Sequence, residues 1–145
     1  MSEKNKLLHY RRTIGKLGSI YHSIAVSQGL SDSAYSILYT MCFDGSGRSL
    51  IHDICMYSGM SKQTVNSSLR KLEKDGIVYL ENVDGRSKEV VLTDKGRELC
   101  SKTVIRLLDA EDRLLGRWSD EDLALYIRLS DRFLSDLEKC FGEDL

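Results

Sequence analysis

The sequence predicts a mainly α-helical protein carrying one small β-hairpin, and three observations support that expectation. None of the 145 residues is proline, so nothing in the chain forces a helix to break. Apolar residues recur at spacings of three and four along most of the chain, the period of a half-buried helix. Only the stretch after Gly76 changes to a period of two, the signature of strands.

The length suits a single domain, residues 1–145, with one core; 41% hydrophobic and 30% charged residues describe a globular chain. No apolar run approaches the ~18 residues of a membrane span, and no apolar segment follows the basic N-terminus as in a signal peptide. A cytoplasmic protein with no membrane partner is expected. The 21 basic and 22 acidic residues nearly cancel, but the N-terminal stretch is basic and the C-terminal stretch acidic. Local charge therefore matters more than the total.

The first helix is predicted from Leu7, Tyr10, Ile14, Leu17, Tyr21 and Ile24, which step by three or four residues. This is a narrow seam of the coiled-coil type, and it points to a partner helix. Gly15 and Gly18 lie within it, where another helix could approach closely. Gly29 closes the helix, and Ser31 caps the next, whose core stripe is Ala34, Ile37, Leu38 and Met41. A short helix follows over roughly 50–58, with Ile51, Ile54 and Cys55 inward and no good cap at its start.

Gly59-Met60-Ser61 is a tight turn into a helix over 62–75, ended by Gly76. Strands are predicted at 77–80 and 89–92, joined by a loop over 83–88 centred on Asp84-Gly85. A long helix from Thr93-Asp94 to about Gly116 carries Leu99, Thr103, Leu107, Leu108, Leu114 and Leu115 on its apolar face. Ser119 caps the last helix, with its wide apolar face of Leu123, Ile127, Phe133, Leu134, Leu137 and Phe141.

Two helices joined by a short turn containing Gly59 form a helix-turn-helix pattern. At 100° per residue, Leu69 and Leu72 fall within about 40° of Val65 and form the inward stripe. The opposite side carries Gln63, Ser67, Arg70 and Lys74, with Asn66 nearer the edge, and no carboxylate at its centre. Lys71 and Thr64 flank one margin, Lys62 and Glu73 the other. Arg, Gln, Asn and Ser are the side chains that read base edges in a major groove. Ser61 and Lys62 stand at the helix start, where free backbone donors suit a phosphate oxygen. On the hairpin tip, Arg86 and Lys88 could reach a neighbouring minor groove, with Asp84 placed to hold the Arg86 guanidinium.

This order of elements resembles the MarR family of bacterial and archaeal transcriptional regulators. The resemblance rests on Ser61-Lys62-Gln63-Thr64-Val65-Asn66, Leu69, Leu72-Glu73-Lys74-Asp75-Gly76, Asp84-Gly85-Arg86-Ser87-Lys88 and Leu92-Thr93-Asp94-Lys95-Gly96-Arg97. Leu30-Ser31-Asp32-Ser33-Ala34 is similar to the opening of that family's second helix. Where many relatives follow Thr-Val with Thr-Arg, this chain has Asn66-Ser67.

The resemblance implies a winged helix-turn-helix lobe over 30–97, with N- and C-terminal dimerisation helices over 1–29 and 98–145. It further implies a homodimer on a palindromic double-stranded DNA operator, acting as a repressor released by a small molecule. Gln63, Asn66, Ser67 and Arg70 are then the expected base contacts, and Ser61, Lys62, Thr64, Lys71 and Lys74 the phosphate contacts. Arg86 and Lys88 would serve the wing, with Asp84 as orienter.

Other chemistry is less well supported. His9, His22 and His52 share no spacing with a nucleophile, and His52 with Cys55 offers only two of the four ligands a metal site needs. No phosphate-cradling glycine loop is present, so no enzyme, metal or cofactor is expected. The four cysteines include no CxxC pair; Cys42, Cys55 and Cys100 lie on apolar stripes, and Cys140 is the accessible candidate for an alternative redox-sensing role. A second alternative is a winged helix that docks on a protein. Tyr10, Tyr21, Tyr35, Tyr39, Tyr57 and Trp118 are the aromatics available to an effector pocket.

Overall fold

The computed structural model describes residues 1–144, so Leu145, the last residue of the expected C-terminal span, lies outside the described residues. The chain divides into two compact units, Met1–Arg106 and Leu107–Leu145. In chain order it contains α1 (Glu3–Ser27), α2 (Asp32–Cys42), β1 (Arg48–Leu50), α3 (Ile51–Ser58) and α4 (Lys62–Lys74). Then come β2 (Val78–Asn82), β3 (Lys88–Leu92), α5 (Asp94–Lys102), α6 (Val104–Leu115) and α7 (Asp120–Phe141).

The helix starts follow the sequence signals. Ser31, Ser61, Thr93 and Ser119 each accept, on the side-chain oxygen, the backbone N–H three residues on. Gly59 and Gly76 end α3 and the α4 turn with φ of +69° and +72°, a conformation glycine reaches without steric cost. The core of the first unit packs Ile37, Leu38 and Met41 of α2 against Ile54 of α3, Val65 and Leu69 of α4, and Val78 and Val90 of the sheet.

The structure extends one expectation and corrects another. The expected hairpin is present as β2 and β3, and a further strand joins it in an antiparallel sheet of order β1-β3-β2. Arg48 stands opposite Val91 and Leu50 opposite Glu89, while β2 and β3 pair from Val78↔Leu92 to Asn82↔Lys88. The three residues of β1 are too few to show an alternation, and they explain why α3 has no side-chain cap: strand leads straight into helix at Leu50.

The correction is that the long helix after Thr93 is interrupted. Thr103 leaves the helical region (φ −125°, ψ −94°) and separates α5 from α6. It is buried, and its hydroxyl donates to the Leu99 carbonyl at 2.8 Å. No glycine or proline marks the break, and the apolar period runs through it.

Tight contacts brace the base of the hairpin. The Thr93 hydroxyl bonds the Gly76 and Ile77 carbonyls, at 2.6 and 3.1 Å. A Cβ on Gly96 would stand 2.1 Å from the Ile77 carbonyl oxygen, so only glycine allows this approach of α5 to the start of β2.

The second unit contains most of α6 and all of α7. No residue of α7 is buried, and its Tyr126, Ile127, Phe133, Leu134, Leu137 and Phe141 remain exposed. Trp118 meets Tyr126 edge to face, with ring centroids 5.5 Å apart.

Candidate nucleic-acid interface

Helix α4 is strongly two-sided because its apolar residues recur at i, i+4 and i+7. Val65, Leu69 and Leu72 are buried against the core. Ser61, Lys62, Gln63, Thr64, Ser67, Arg70, Lys71 and Lys74 are exposed, and Asn66 is half-buried. The part of the expected set that falls on α4 and its N-cap thus lies together, on the side away from Val65, Leu69 and Leu72. Ser61 accepts the Thr64 N–H and also donates its hydroxyl proton to Thr64 Oγ1 at 2.9 Å, which fixes the first turn. The preceding turn is set by Gly59 and by Ser58, whose hydroxyl accepts the Met60 N–H at 3.2 Å.

Among the described residues, Lys62, Arg70, Lys71, Lys74, Arg86 and Lys88 form no ion pair. Their charges are therefore uncompensated at contact distance and available to an anion. The Lys71 and Lys74 ammoniums also stand in the last turn of α4, where the helix dipole favours cations.

The wing tip turns at Gly85, with φ +79°, and closes through the Val83 N–H on the Ser87 carbonyl at 3.0 Å. Here the expected role of Asp84 is revised. Its carboxylate accepts the backbone N–H groups of Arg86 and Ser87, at 3.0 and 2.8 Å. Those two amide bonds, Ser87 first, hold the carboxyl below its ordinary pKa. Asp84 therefore shapes the loop through the backbone and leaves the exposed Arg86 side chain to project from it. Two residues of separation suit an Asx turn better than a side-chain ion pair, because the short Asp side chain reaches its own backbone first.

Sequence reasoning missed two supports. Ser33 Oγ donates to Ser68 Oγ at 3.2 Å, tying the start of α2 to the middle of α4. Arg48 on β1 pairs with Glu81 on β2 and with Glu89 on β3, the latter at 3.0 Å. Both carboxylates, Glu89 foremost, push the guanidinium pKa further up. The partners of Arg48 lie 33 and 41 residues away, so no local spacing could have signalled them.

The four thiols differ in burial. Cys42 and Cys100 are buried, Cys55 is half-buried, and Cys140 is exposed. The hydrogen-bonded Cys42 and burial push the Cys100 thiol up, while the same hydrogen bond from Cys100 lowers Cys42. Of the aromatics considered for an effector pocket, Tyr39 and Tyr57 line one common cleft. Tyr35 is buried in the core, Tyr10 and Tyr21 stand exposed on α1, and Trp118 packs on Tyr126.

A model of the MarR family matches residues 28–87, from the end of α1 through the wing. An uncharacterized HTH-type transcriptional regulator of Bacillus subtilis, YwoH, is 31% identical over 107 residues, covering 73% of this chain and 77% of that protein. The chain belongs to the MarR family. The backbone of this MarR-family protein superposes on NMB1585, a MarR family regulator from Neisseria meningitidis, with a TM-score of 0.80 at 18% identity over 100% of both chains. It also superposes on Sco3205 of Streptomyces coelicolor, a MarR family regulator solved in complex with DNA. There the TM-score is 0.67 at 19% identity, over 94% of this chain and 93% of that one.

The family is one of transcriptional regulators. Among the described residues no group of three or more His, Cys, Asp or Glu side chains could hold a metal ion, and no helix is long and apolar enough to cross a membrane.

Proposed function

We propose that this MarR-family protein is a cytoplasmic, homodimeric transcriptional repressor that binds a palindromic double-stranded operator and is released by a small molecule. The observation that carries the DNA-binding part is the outer side of α4: exposed amide, hydroxyl and cationic groups, with its cations free of ion pairs.

In this reading α4 lies in the major groove. Arg70 takes a guanine edge, and Gln63, Asn66 and Ser67 read neighbouring bases. Ser61, Lys62, Thr64, Lys71 and Lys74 hold phosphates, which sets the register of the helix without reading sequence. Arg86 and Lys88 contact the flanking minor groove from a tip preformed by Asp84. Residues 30–97 then form the DNA-binding lobe of one domain, and 1–29 and 98–145 its dimerisation helices.

The dimer is supported by the apolar residues left exposed on α1 and α7, among them Leu7, Ile14 and Leu17 on the first and Phe133, Leu134 and Leu137 on the second. Faces of this kind mark association surfaces. A two-fold dimer presents two α4 helices about one DNA turn apart, and so favours an inverted repeat. Nothing in this scheme requires a catalytic step. Selection of bound duplexes from a random pool tests it: recovery of an inverted repeat with half-sites about 10 base pairs apart is the expected result. A pool with no enriched sequence would reject sequence-specific binding.

A further inference from the structure

A cleft of about 720 Å³ lies between α2, α3 and β1, and none of the residues assigned above to DNA lines it. That volume is within the range of small-molecule sites, roughly 300–1,000 Å³. Its apolar part is aromatic. Tyr39 and Phe43 are in ring contact, with centroids 6.3 Å apart and planes tilted by 46°, and Tyr57 joins them from α3. Phe43 and Tyr57 keep 71% and 73% of their surface exposed, so these rings are not anchored in the core. Exposed aromatic surface around a concave site marks a binding region.

The charged part of the lining is mostly acidic: Asp44, Asp53 and Glu89 against Arg48 alone. Arg48 is already engaged by Glu81 and Glu89, so its charge is compensated within the protein. Asp44 accepts the Ser46 N–H at 2.9 Å, and the Ser46 side chain and backbone hold its carboxyl below the ordinary pKa. Among the described residues, the ion-pair partner of Asp53 is the solvent-exposed His52, at 3.4 Å. An anionic ligand would meet two carboxylates and a neutralised arginine. A cation would meet carboxylates and three aromatic rings, whose π-systems attract positive charge.

We propose that this cleft binds a monovalent organic cation bearing aromatic or bulky apolar groups, held by Tyr39, Phe43 and Tyr57 and balanced by Asp44 and Asp53. As the effector site of the regulator described above it rests on that reading. The binding itself is measured without DNA, so the two stand or fall separately.

The test is calorimetric titration of the full chain with tetraphenylphosphonium and with tetraphenylborate, ions of like size and shape and opposite charge. The phosphonium is expected to saturate at one per chain, and the borate to bind at least tenfold more weakly. Tyr57→Ala and Asp53→Asn change partly exposed side chains, and with circular dichroism confirming the fold each is expected to weaken phosphonium binding at least fivefold. Equal affinity for the two ions, no saturable phosphonium binding, or wild-type affinity in both variants would overturn the proposal.

Discussion

The Asp84 carboxylate accepts the Arg86 backbone N–H at 3.0 Å, so the acid and the base of the wing are joined through the main chain and not through their charges. The same oxygen takes the Ser87 N–H at 2.8 Å, so one carboxylate oxygen closes the tip through two backbone amides. Because these bonds lower the Asp84 pKa from 3.8, the ionised form and its two amide bonds persist above that value. They are lost only as pH falls through the lower, folded-state pKa. The Arg86 and Ser87 amide resonances are expected to titrate with a midpoint below 3.8, and a midpoint at or above it would contradict the amide bonding. Asp84→Asn keeps an acceptor oxygen and should retain most operator affinity, whereas Asp84→Ala should lower it as much as Arg86→Ala does.

Arg70 and Lys74 share the outer side of α4 but are assigned different tasks. Arg70→Ala is expected to weaken specific binding by about 1–3 kcal/mol and relax one base position. Lys74→Ala should weaken all sequences alike and reduce the salt slope by about one unit. Competition assays across a salt series separate the two, and the same loss of specificity in both variants would refute the assignment.

The seam on α1 is expected to hold the dimer. Ile14 and Leu17 stay 48% and 41% exposed within one chain, so charging them should leave the fold of the chain intact. The double variant Ile14→Asp, Leu17→Asp, or removal of residues 1–24, should sediment as a poorly dimerising species. An unaltered dimer would show that association uses another face.

Gly96 sets the fit between α5 and the base of the hairpin. Gly96→Ala drives a Cβ to 2.1 Å from backbone, which cannot yield as a flexible side chain would. Overpacking of this sort costs about 1–3 kcal/mol or more, visible as a lower urea midpoint. A midpoint equal to that of the native chain would mean α5 can move away from Ile77 freely.

Most of the helical architecture was legible because its signals are local. Ser31, Ser61, Thr93 and Ser119 stand where a cap must stand, and all four cap. The expected core stripe Ala34, Ile37, Leu38, Met41 is buried throughout, as are Val65, Leu69 and Leu72. The residues proposed for DNA were found by subtraction: once the buried side of α4 is known, the rest must face outward.

Amino-acid order alone thus determined the period of each long element, its cap, and the side of it that faces water, since each depends on residues within a turn or two of one another. Tertiary structure decided the rest. The strand Arg48–Leu50 exists because β3 offers it backbone partners, and hydrogen bonds between main chains leave no trace in side-chain pattern. At the bend, Cys100, Thr103 and Val104 are all buried, a placement set by the folded chain as a whole. Arg48 finds Glu81 and Glu89, and Tyr39 and Tyr57 come to line one cleft, only because the folded chain closes long loops at a modest entropic cost and then rewards contacts no local window contains.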